Sequence, residues 1–287
     1  MSSTSDANQT ARLLAEIACR AGAAALLMRE FNAEVQAKPD GSPVTRADYA
    51  AERVAVDMLQ RAFPGIAIVS EETPLPEFGA KHQTGGAADQ SPHPVRSANQ
   101  PLPQAGQGRR SQKFFLIDPI DGTREFIEGR DEFTVNIALI ENGRPIAAAI
   151  AAPALRRAWY AGTAAFSASC DVSGAVLSPG AAIAARQRPD APVGLISRSH
   201  ADQASLDETL RQGIAGMRAI GSSLKFCLIA SGEADFYARL APVNEWDIAA
   251  GDAILTAAGG SVRSPSGEAL LYRGRGDLIQ GFIARGK

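Results

Sequence analysis

The stretch Phe114–Phe126, FFLIDPIDGTREF, decides how the rest of the chain is read. Phe114, Phe115, Leu116 and Ile117 form an apolar run that predicts a buried strand. The run ends on Asp118-Pro119-Ile120-Asp121-Gly122-Thr123. Two carboxylates three residues apart, straight after a buried strand, are costly unless a positive charge sits between them. Pro119 stiffens the turn, and Gly122 lets the backbone come close to a ligand. Gly122 and Thr123 offer N–H groups and a hydroxyl where a short helix could begin, which suits a phosphate. The chemistry that fits is a carboxylate-bound divalent cation with a phosphate on its far side. On these residues alone a surface turn with an aspartate cap fits as well, because D-P and D-G are ordinary turn signals.

The chain has 287 residues and a formal net charge of −2, a length for one or two domains. The charge gives no basic field for nucleic acid or an anionic membrane, and no segment points to a protein partner. An anionic substrate would therefore need local positive charge, from a metal or from a few placed Lys and Arg. Cys19, Cys170 and Cys227 are odd in number and far apart, which predicts a reducing compartment rather than a disulfide framework. None has the CxxC spacing of a thiolate zinc site. Met1–Thr10 lacks the apolar core of a signal peptide, and no run approaches the ~20 apolar residues of a membrane span. The expectation is a cytoplasmic protein.

Working outward, apolar periodicity predicts a helix over Ala11–Phe31 and another over Arg46–Phe63. Thr45 opens the second, with Asp48 three residues on, as in a capping box; that gives Asp48 a purely structural reading. Ile66–Ser70 is a short strand closed by Glu71-Glu72. If it neighbours the central strand, Glu71 could reach the same ion; otherwise the two acids are simply solvated. Lys38–Pro43 is a turn-rich loop. Phe78–Gln112 is poor in large apolar residues and reads as a mobile insertion, leaving His82 and His93 outside the chemistry.

Downstream, Phe133–Ile140, a hairpin at Asn142-Gly143, Pro145–Ala152 and Trp159-Tyr160 predict strands of one mostly antiparallel sheet with Phe114–Asp118. Residues 166–190 give no clear assignment. From Val193 to Arg263 strands and helices alternate, with a helix capped by Ser222 or Ser223 and another opened by Trp246-Asp247. Alternation of this kind predicts layered packing of sheets and helices. Asp247 has a structural reading too, as an N-cap that complements the helix dipole. The division expected is an N-terminal part, 1–150, and a C-terminal part, 151–287.

Taken in order, Glu71-Glu72, Asp118–Thr123 and Trp246-Asp247 resemble the signature of the inositol monophosphatase superfamily of metal-dependent phosphatases. Ser42–Thr45 with Asp48, Glu125–Ile127, Phe133–Ile140, ISRSH at Ile196–His200 and GSSLKFC at Gly221–Cys227 are similar to its CysQ-type branch, the 3'(2'),5'-bisphosphate nucleotidases. The last two segments discriminate most, because they lie on the substrate side. The resemblance implies an αβαβα layered sandwich, with most metal ligands in the N-terminal part and the substrate contacts and the last ligand in the C-terminal part. The insertion Phe78–Gln112 departs from the usual short connection.

The resemblance further implies two or three Mg²⁺ ions. One ion falls to Glu71, Asp118 and the carbonyl of Ile120, and a second to Asp118, Asp121 and Asp247. Gly122 and Thr123 would hold phosphate oxygens. Asp48 and Thr123 would help deprotonate the attacking water, Thr123 as a relay, while Glu72 orients waters or ligands. Ser197, His200, Ser222, Lys225 and Arg239 would meet the rest of a nucleotide bisphosphate. The implied reaction is hydrolysis of adenosine 3',5'-bisphosphate (PAP) to AMP, with PAPS as a second substrate and lithium as an inhibitor, in sulfur assimilation. A peripheral place at the cytoplasmic face of the inner membrane is also implied, although no basic amphipathic helix is evident. The alternatives are an inositol or sugar phosphatase on the same scaffold, and a non-catalytic nucleotide-binding protein.

Overall fold

The computed structural model describes residues 3–30, 35–38, 43–72, 95–97, 113–275 and 278–287. In chain order the elements begin with α1 (Ser3–Glu30), β1 (Val35–Ala37), β2 (Pro43–Thr45), α2 (Arg46–Ala62), β3 (Ala67–Ser70), β4 (Val95–Ser97), β5 (Lys113–Asp121) and α3 (Thr123–Ile127). They continue with β6 (Thr134–Glu141), β7 (Arg144–Ala152), β8 (Arg157–Ala161), β9 (Ala165–Ser169), β10 (Ala181–Ala182), β11 (Val193–Ser197), α4 (Gln203–Arg211) and β12 (Gly216–Ile220). The chain closes with α5 (Leu224–Ala230), β13 (Phe236–Arg239), α6 (Glu245–Ala257), β14 (Ser261–Arg263) and β15 (Phe282–Arg285).

The apolar run of β5 is buried on both faces, and its side chains alternate between two cores. Phe114 and Leu116 join the core that holds α5, α6 and β13, whereas Phe115 and Ile117 join the one that holds α1 and α2. This is the period-2 signature of a central strand covered on both sides. Eight strands form the larger sheet in the order β10-β9-β8-β7-β6-β5-β3-β4. The β3–β4 and β3–β5 pairs are parallel, and the remaining pairs antiparallel. The smaller sheet runs β12-β11-β13-β15-β14. Helices α1 and α2 cover one face of the larger sheet, α5 and α6 fill the space between the sheets, and α4 lies against β11 and β13. The layers are thus α/β/α/β/α, as expected.

Several boundaries differ from the sequence reading for identifiable reasons. Helix α1 begins at Ser3 rather than Ala11. Its polar first turns are anchored by Asn8, whose side chain accepts from the N–H groups of Thr163 and Ala164, a contact that periodicity does not encode. Strands β9 and β10 occupy the stretch left unassigned, with small residues in place of a clear apolar pattern. Val95–Ser97, inside the expected insertion, pairs as a parallel edge strand with β3. The rest of Phe78–Gln112, with His82 and His93, lies outside the described residues, as does 39–42 of the turn-rich loop. Among the described residues no helix is long and apolar enough to cross a membrane.

Candidate active site

Strands β3 and β5 run parallel, and Ser70 stands opposite Ile117. The next residue on each strand is an acid, and the Glu71 N–H donates to the Ile117 carbonyl at 3.2 Å. Glu71 and Asp118 are therefore neighbours at the C-terminal ends of parallel strands, where α/β folds place their ligands. Beyond Asp118 the β5–β6 ladder slips: Asp118 faces Asn136 and Asp121 faces Thr134. One residue is extra on β5. Pro119, which has no N–H to give to the ladder, sits inside this bulge. In a regular strand residues three apart would point to opposite faces; with the bulge both aspartates line one cavity.

Asp247 arrives from α6. It is not the N-cap. Asn244 is, and Asp247 is the third helical residue of a capping box, its carboxylate accepting from the Asn244 N–H at 3.2 Å. Carboxylate oxygens of Glu71, Asp118 and Asp247 lie within 4.8 Å of one another. Burial pushes Asp118 well above the usual carboxylate range, and Glu71, Asp121 and Asp247 push it further. Asp247 is raised in the same way, by burial and then by Asp121 and Glu71. Carboxylates gathered this closely suit a hard divalent cation, which removes the repulsion between them. Asp121 stands apart from this trio. Its Oδ2 accepts from the Ser223 N–H at 2.5 Å and from Asn136 Nδ2 at 3.3 Å. Burial raises it, while Lys225, Asn136 and Ser223 pull it down.

Gly122 has φ +90, and a Cβ there would meet the Ser222 Cβ at 3.3 Å; a left-handed residue in close contact calls for glycine. It caps α3. The Thr123 hydroxyl donates to the Ile120 carbonyl at 3.1 Å. Asp48 does not line the cavity and is 1% exposed. Its Oδ2 accepts from both the N–H and the hydroxyl of Thr45, and its Oδ1 has no partner. Burial pushes its pKa up to about 6 against those two bonds. Among the described residues no hydrogen bond joins Thr123 to Asp48. Glu72 is buried under Lys38, whose ammonium also reaches Glu71.

The cavity, about 230 Å³, runs from the acidic cluster to a wall built by the C-terminal half. Ser197, His200, Ser222, Lys225 and Arg239 all line it. Lys225 is buried, and its Nζ donates to the carbonyls of Ile220 (3.0 Å) and Ser222 (2.6 Å). Burial lowers its pKa to about 8. The His200 N–H donates to Ser197 Oγ, and burial with Arg239 and Arg124 lowers the imidazole pKa. Arg239 Nε is buried without a partner. Ser223 is the N-cap of α5 but makes no side-chain capping bond; the Ser222 hydroxyl accepts from the Leu224 N–H instead.

Sequence reasoning named Glu125 and Asn136 only within family-like segments, Ser223 only as a helix cap and Lys38 only as part of a loop, and gave none of them a role in the site. Glu125 stands inside the opening stretch, and an acid three residues past Gly122 was a signal. Lys38 lies at the edge of a turn-rich loop, where a lysine carries no signal of its own.

Two layered sheets with carboxylates gathered at the ends of parallel strands form the scaffold of a metal-assisted phosphatase. Residues 8–282 match the inositol monophosphatase family, and the chain belongs to that family. It is 39% identical over 248 residues to the 3'(2'),5'-bisphosphate nucleotidase CysQ of Shigella flexneri, covering 86% of each chain. Identity to the protein of the same name from Escherichia coli (strain K12) is 38% over the same length, again with 86% of each chain covered. The crystal structure of CysQ from Bacteroides thetaiotaomicron matches with a TM-score of 0.71 and 29% identity over 97% of both chains.

Proposed function

We propose that the protein is a Mg²⁺-dependent phosphomonoesterase that hydrolyses PAP to AMP and phosphate, and PAPS to APS. The observation that carries this reading is the continuity of one cavity between the Glu71–Asp118–Asp247 cluster and a wall bearing Lys225, His200 and Arg239. A ligand filling it would be an ester phosphate at one end and a second anionic group at the other, which describes a nucleotide bisphosphate better than a monophosphate. The named activity of the CysQ relatives supports the same substrate class.

Glu71, Asp118, Asp247, the Ile120 carbonyl and Asp121 are the residues that would hold two or three Mg²⁺ ions. When bound, the ions supply activated water and stabilise the leaving oxygen. The chain's own groups do the rest. Gly122 and Thr123 direct N–H groups at the phosphate. Asp48 receives the proton lost by the attacking water through Thr123. That relay requires the Thr123 hydroxyl to leave the Ile120 carbonyl, and Asp48 Oδ1 is the oxygen open to receive it. Lys225, His200 and Arg239 hold the distal phosphate, and Ser197 and Ser222 add hydroxyls.

The test is phosphate release from PAP and from inositol 1-phosphate, side by side, with Mg²⁺ and with EDTA. A strong Mg²⁺-dependent preference for PAP is expected. Preference for the inositol ester would retain the acidic cluster and overturn the reading of the distal wall.

A further inference from the structure

Glu125 is a buried carboxylate to which the mechanism above gives no task. It is 3% exposed yet lines the cavity beside Gly122 and Thr123. Its Oε1 accepts the Ser199 hydroxyl at 2.6 Å. Among the described residues nothing donates to its Oε2. The side chain is also hemmed in. A Cβ on Gly122 would lie 3.3 Å from Oε2, and one on Gly221 only 2.8 Å from Cγ. The surrounding turn is locked in its place: Arg198 makes two 2.8 Å bonds to Glu132, and Glu132 accepts the Gly221 N–H at 2.9 Å. A carboxylate fixed in this way, facing a cavity for an anionic ligand, repels that ligand unless the ligand donates a hydrogen bond to it.

We infer that Glu125 reads a hydroxyl on the carbon next to the one that bears the scissile phosphate. Oε2 sits by Gly122, a residue assigned above to the phosphate, so the group it meets belongs one carbon away from the ester. In a ribose 3'-phosphate that group is the 2'-hydroxyl. The inference rests on the proposed nucleotide substrate and adds its specificity determinant. The hydroxyl donates to Oε2 in a charge-assisted bond; a 2'-deoxy ligand leaves the carboxylate unpaired. Ser199 is a positioning residue that fixes the other oxygen.

The experiment compares kcat/KM for adenosine 3',5'-bisphosphate and its 2'-deoxy counterpart in the wild-type protein, Glu125→Gln and Glu125→Ala. The wild type should prefer the ribonucleotide by about 10- to 100-fold. That ratio should fall at least about fivefold in Glu125→Gln, which keeps the side-chain volume, and approach one in Glu125→Ala. A merely structural role would slow both substrates alike and leave the ratio unchanged, overturning the inference. A wild-type ratio near one would overturn it without any variant. If neither nucleotide is hydrolysed while inositol 1-phosphate is, the substrate reading falls and takes the inference with it.

Discussion

Thr45 holds Asp48 by one oxygen only, with the backbone N–H at 2.8 Å and the hydroxyl at 2.7 Å, both on Oδ2. The pair caps α2 and also tunes a carboxylate that burial pushes to about 6. Removing the hydroxyl in Thr45→Val takes a hydrogen bond from the ionised form, so the pKa of Asp48 rises. If Asp48 must be ionised to receive the proton, the acid limb of the kcat–pH profile moves to higher pH. The lost cap also costs about 1 kcal/mol of stability. Stability loss with an unmoved acid limb would leave Asp48 as a cap alone.

Glu72 gives a stability test. Burial, then the neighbouring Glu71 charge, pushes its pKa up to about 8 even with Lys38 against it. A carboxyl with a higher pKa folded than unfolded binds its proton more tightly when folded. Its contribution is therefore full below the ordinary carboxylate range and is lost as pH rises through 8. In EDTA, Glu72→Gln should match the wild type near pH 5 and gain on it steadily, by on the order of 2–4 kcal/mol at pH 8. Thermal melts across that range check it; a constant difference would show that Glu72 does not titrate there.

The half of the site on the larger sheet was open to sequence reading because acids that close apolar strands are costly, and so informative. Glu71 and Asp118 come together for that reason, whereas Asp247, in the first turn of a helix, was set beside them by the family resemblance alone. What patterning could not express was the local geometry. The bulge that turns Asp121 toward Ser223 depends on strand register, and the cap of α6 is Asn244 rather than Asp247. Lys38 and Glu125 matter through neighbours 33 and 74 residues away, separations at which composition and periodicity are silent. The layered fold was readable because the period of the apolar residues switches cleanly between strand and helix.

Asp118 is held well above the usual carboxylate range by burial and then by the Glu71, Asp121 and Asp247 charges. Its Oδ1 accepts from the Ile120 N–H at 3.1 Å, a bond that an amide oxygen can keep. Asp118→Asn should therefore fold and, in EDTA, gain about 1–2 kcal/mol from relief of like charge. It should lose Mg²⁺-dependent phosphate release by about a hundredfold or more. The Mg²⁺-induced rise in melting temperature expected of the wild type should vanish as well. A variant that is still stabilised by Mg²⁺ would remove Asp118 from the ligand set.

Lys225 links the distal wall to pH. Its ammonium is buried, bonded to two carbonyls and 4.9 Å from the Tyr237 ring centroid, and burial lowers its pKa to about 8 despite Asp121. A lysine with a lower pKa folded than unfolded costs the folded state stability while charged, a cost relieved as pH climbs from about 8 toward the ordinary lysine value. Binding runs the other way: an anionic ligand needs the charge, so KM should rise as pH passes 8. Lys225→Met should raise KM about 10- to 100-fold at neutral pH and abolish that alkaline rise. Its melting temperature does not separate the two roles, since the Ile220 and Ser222 carbonyls lose their donor while the cost of a buried charge is removed. The slope of KM above pH 8 is the measurement that separates a binding cation from a structural one, and a slope that survives in Lys225→Met would assign the alkaline limb to another group.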